Sequence, residues 1–126
     1  MTSLYQFLPP VAVLLFLAVT LREGHAASRG WLGPAAVSAL FLAWSVYAVA
    51  AEGPLGFWPN HTANAWGNQV WFDLLIAVAI GWTLLLPRAR AVGMQVWPWL
   101  ALVCCTGCIG LAAMLARCRF LESRST

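Results

Sequence analysis

Apolar residues fill four long stretches of the chain, and polar residues are confined to the joints between them. The stretches are residues 4–21, 31–51, 69–87 and 95–116. Each runs for roughly 18–22 residues, enough to carry a helix across about 30 Å of hydrocarbon. They lack the strict alternation of membrane barrel strands, and a helix satisfies its own backbone groups where no water can. Asp73 is the one charge in the third stretch, and the fourth has none. The pattern predicts an all-α fold: a single domain over residues 1–126 forming an integral membrane bundle of four transmembrane helices.

The first stretch has a competing reading as a signal peptide cleaved near Ala26–Ala27. No Lys or Arg precedes it, which a signal's leading region needs, so a retained helix is expected. Pro9–Pro10 fits a first helical turn, where missing N–H groups cost little. Residues 22–30 and 88–94 form short links with two Arg each. The loop over residues 52–68 is longer and holds three Gly, two Pro and three Asn. Asn60, Asn64 and Asn68 recur every four residues, so one short helix would place them on one face. Trp58 and Trp66, with Trp71 just beyond, read as an interfacial aromatic belt. Arg in the short links orients them towards the cytoplasm. In a four-helix topology, both termini and the Trp/Asn loop then face outward.

Composition agrees with the pattern. The chain has 126 residues, 62% of them hydrophobic and 9% charged. Four acids and seven bases cannot cover the surface of a water-soluble fold of this size. The net charge is +3, and all seven bases are Arg. No basic run interleaved with aromatics appears, so nucleic acid is not an expected partner; the bilayer is.

Candidate chemistry is sparse, and no catalytic set is evident. Asp73 shares a helix face with Ala77 and Gly81, which would aim it at a neighbouring helix. It reads either as a structural carboxylate with a partner or as a proton- or ligand-handling group. Up-down order places the start of the third helix beside the end of the fourth. An Asp73–Arg117 ion pair is therefore expected, with Arg119 as competing cation and Asn64 or Asn68 as donors. Glu52 and His61 also lie on the loop side. Small residues at Ala35, Ala39 and Ala43, and at Cys104, Cys108 and Ala112, suit close helix packing. Cys105–Cys108 forms a CxxC, but mid-helix thiols away from water read as small apolar side chains. His25 and His61 are too few and too far apart to hold haem, so no metal site is expected. Eight Trp offer surfaces for anchoring in lipid or for stacking a quinone or pigment, though no cofactor is predicted.

Asn64 lies nine residues before Asp73-Leu74. A link with Arg88, Arg90 and Gly93-Met94 follows, then Trp97 and Trp99, then an apolar run into Arg117. In this order of features the C-terminal half resembles the small bacterial membrane family catalogued as domain of unknown function 2834. The chain departs from that family at Ala112-Ala113, where a Pro-Leu is usual, and in its Cys cluster. The resemblance implies a bacterial inner-membrane setting and attention to Asn64, Asp73 and Arg117. It implies no activity. The expected function is that of a non-enzymatic accessory or packing subunit, in a homo-oligomer or a larger membrane complex. A small transporter or channel subunit using Asp73 is the alternative, and a membrane enzyme acting on an isoprenoid or quinone is a further one.

Overall fold

The computed structural model describes residues 2–23 and 30–125. Two compact units divide the chain, residues 1–30 and 31–126. The first contains helix α1, Thr2–Glu23. Pro9 and Pro10 lie inside α1 rather than in its first turn, because Leu4, Tyr5 and Phe7 extend the apolar helix N-terminally. His25 and the Ala26–Ala27 site fall outside the described residues.

The second unit contains α2 (Leu32–Glu52), α3 (Phe57–Thr62), α4 (Ala65–Ala91), α5 (Val96–Thr106) and α6 (Cys108–Ser125). Every described element is a helix. α1, α2 and α4 are long and apolar enough to cross a membrane. By length and composition the chain is thus an all-α membrane protein.

The fourth apolar stretch departs from the four-span expectation. It breaks at Gly107, whose φ of 62° and ψ of −122° are closed to residues with a Cβ. α5 is therefore 11 residues long, about 16 Å, half of what a crossing requires. α6 then folds back along α5. A Cβ on Gly110 would sit 3.0 Å from the Leu102 carbonyl carbon and oxygen. In one continuous helix, residues eight apart are separated by about 12 Å. The stretch is a helical hairpin, and Cys104 and Cys108 stand on different helices.

The register of α6 follows from its neighbours. Leu111 packs on Gly81 of α4, and Glu122 pairs with Arg88 of the same helix, so α6 runs parallel to α4. Ser38 Oγ of α2 donates to the Ile109 carbonyl at 2.9 Å, and the Trp31 ring meets Phe120 at 5.5 Å. α6 is therefore antiparallel to α2. It packs against both α2 and α4. Trp31, Arg88 and Glu122 consequently share one end of the unit, here the arginine end. α3 and the start of α4 lie at the other, the α3 end.

The turn from α4 into α5 closes a Schellman motif. Met94 N–H donates to the Ala89 carbonyl at 3.0 Å, and Gly93 N–H to that of Arg90 at 3.1 Å. It carries Met94 back into a core of Leu85, Ala89, Met114 and Cys118, flanked by Trp82, Trp99 and Leu121. The core thus sits at the arginine end. No charged or polar residue is buried among the described residues.

Candidate functional site

Two polar clusters stand at opposite ends of the unit. The first is at the α3 end, where the sequence concentrates Asn, His and Trp. Asn64 is extended, with φ −161° and ψ 176°, and its Oδ1 accepts from Gly67 N–H at 2.8 Å. This is N-capping, which favours Asn outside a helix rather than within one. The cap breaks the chain between α3 and α4, so Asn60, Asn64 and Asn68 do not share one helical face. Asn68 Nδ2 instead donates to the His61 carbonyl at 2.6 Å. His61 Nδ1 lies 3.4 Å from the Gly67 carbonyl oxygen. A Cβ on Gly67 would run into the Asn60 carbonyl oxygen, so glycine is what lets α3 approach α4 this closely.

Trp71 seals the same corner. Phe57 stacks on it at 6.0 Å, His61 lies at 5.0 Å and Trp58 meets it edge-on at 6.3 Å. Trp66 points away and is 78% exposed. Glu52 is the last residue of α2 and is exposed. The aromatic groups form a structural clasp between α3 and α4. Of the residues singled out in the sequence, the fold brings together Asn64, Asn68, His61, Trp58 and Trp71.

Asp73 and Arg117 are not brought together. Asp73 lies eight residues before Gly81, while Arg117 lies six after its neighbour Leu111. The two are about 20 Å apart along nearly parallel helices. The ion pair expected from four spans fails because the hairpin returns α6 to the end it came from. The Arg117 guanidinium sits 5.5 Å over the Phe120 ring instead. Asp73 is exposed, and Ala77 on the same face is exposed too. Gly81 alone of that face meets α6, because α6 begins level with it.

The second cluster, at the arginine end, is one the sequence did not single out. Arg88 grips Glu122 with two parallel hydrogen bonds, Nε to Oε1 at 2.9 Å and Nη2 to Oε2 at 2.7 Å. The contact is an ion pair. The Cys118 thiol, itself buried, donates to Glu122 Oε1 at 3.6 Å. Hydrogen bonding from Arg88 holds the Glu122 carboxyl below its usual value. Arg88 and Glu122 are 34 residues apart and no local pattern links them; only the parallel α4–α6 register does.

Beside this pair, α2 and α6 leave an apolar groove of about 530 Å³ between Trp31, Ala35, Ala39 and Leu42 on one wall and Ala113 and Phe120 on the other. The small-residue face expected of α2 thus faces α6 at Ala35 and Ala39. Among the described residues no three His, Cys, Asp or Glu side chains are grouped as metal ligands. No family model, curated protein or solved structure matches the chain.

Proposed function

We propose that the chain is a non-enzymatic membrane subunit, working through association with a second copy or with a larger membrane complex. The observation that carries this reading is Asp73. It lies on a membrane-spanning helix, exposed, with no cation within ion-pair distance among the described residues. A carboxylate on such a helix is costly against lipid and faces protein or a water-filled cavity in working assemblies. α6 stops short of it, and in this reading a neighbouring chain covers it.

The arginine end faces the cytoplasm in this reading. Arg88, Arg90, Arg117, Arg119 and Arg124 belong to it, whereas Glu52 and Asp73 lie towards the α3 end. A bacterial inner membrane is the setting this reading proposes. A proton- or ligand-handling role for Asp73 within a transporter is the second reading, favoured by the same lack of a cation.

Native gel electrophoresis of the protein extracted in mild detergent tests the first reading. The wild type should migrate as a defined assembly that Asp73→Ala dissociates and Asp73→Asn largely keeps. A monomeric wild type would refute association. An intact assembly in which Asp73→Asn abolishes proton-coupled uptake into vesicles would establish the transport reading.

A further inference from the structure

We infer that the α2–α6 groove holds one anionic phospholipid from the leaflet at the arginine end. The groove runs along α2 from Trp31 to Leu42, eleven residues or about 16 Å. That is close to half of the roughly 30 Å hydrocarbon thickness, the depth of a single leaflet. Apart from Ser38 and Arg117, its walls are apolar along this length. Its one hydroxyl, that of Ser38, is occupied by the Ile109 carbonyl. An acyl chain can lie there without leaving a polar group unpaired.

The mouth has a different chemistry. Trp31 and Phe120 frame it, edge to face at 5.5 Å, at the depth where aromatic side chains meet head groups. Two guanidinium groups gather on Phe120, Arg117 at 5.5 Å and Arg124 at 5.6 Å from the ring centroid. Neither has a carboxylate partner among the described residues, because Glu122 is engaged by Arg88. Two cations held together above an apolar slot complement a phosphate with a hydrocarbon tail. Basic sites between helices on the cytoplasmic side bind anionic head groups in this way. With no carboxylate bound to them, both guanidinium groups have N–H donors to offer phosphate oxygens.

Native mass spectrometry tests the assignment. The full chain is reconstituted into nanodiscs of phosphatidylcholine with or without phosphatidylglycerol, then released. One retained phosphatidylglycerol per chain is expected, in preference to phosphatidylcholine. Arg117→Gln with Arg124→Gln should lower that preference on the order of thirtyfold, a factor of about five per arginine. Ala39→Leu, which fills the slot and leaves the mouth untouched, should reduce retention of both lipids. Circular dichroism melting of each variant separates these effects from unfolding. Equal retention of the two lipids by the wild type would overturn the assignment. So would retention unchanged in folded Arg or Ala39 variants, or a dimer carrying no lipid, which would mean that a second copy covers the groove.

Discussion

Glu122 and Arg88 tie the last turn of α6 to the last turn of α4 through a bidentate contact, with side chains 35% and 46% exposed respectively. Partial exposure limits such a pair to about 0.5–1 kcal/mol. Because the folded carboxyl is held below its unfolded value, the contribution is present in full above the ordinary Glu range. It is lost as pH falls through the folded value. Thermal melts in detergent should show the gap between wild type and Glu122→Gln closing as the solution is acidified below that range. In a double-mutant cycle with Arg88→Gln, coupling should appear at neutral pH. Gly67 offers a second test. A methyl there collides with the Asn60 carbonyl oxygen, so Gly67→Ala should lower stability by about 1–3 kcal/mol, read as a lower melting temperature. The residue types at the α3 end were legible from sequence, but their arrangement was not. Four-residue spacing argues for a shared face only if the helix is continuous, and Asn64 caps one instead.

Among the elements, α1, α2 and α4 were legible because a long uninterrupted apolar run allows little except a helix. The hairpin was hidden because its signal is a single glycine. Gly107 lies in an apolar stretch of full crossing length, and glycine is common within membrane helices. Its backbone angles, not its sequence context, turn one expected span into two antiparallel pieces. The consequence is measurable. A reporter active only outside the cytoplasm, fused to the C-terminus, should give the same silent result as one inserted after Gly93. Opposite results would require α5 and α6 to form one continuous crossing helix.

The whole molecule repeats this division. Its core of Leu85, Ala89, Met94, Met114 and Cys118 lies at the arginine end. The α3 end is held by an aromatic clasp and by capping hydrogen bonds. Pairing of Asp73 with Arg117 requires four crossings, and it fails with the fourth. Entry into the membrane is constrained by the same hairpin. Its turn at Gly107 lies ten residues, about 15 Å, from Arg117, near mid-membrane when Arg117 marks the interface. Backbone carbonyls released by a turn at that depth are tolerated against protein or water, not against lipid. We expect the hairpin, where it enters the membrane, to dock onto α2 and α4, which it packs against, rather than to meet lipid alone.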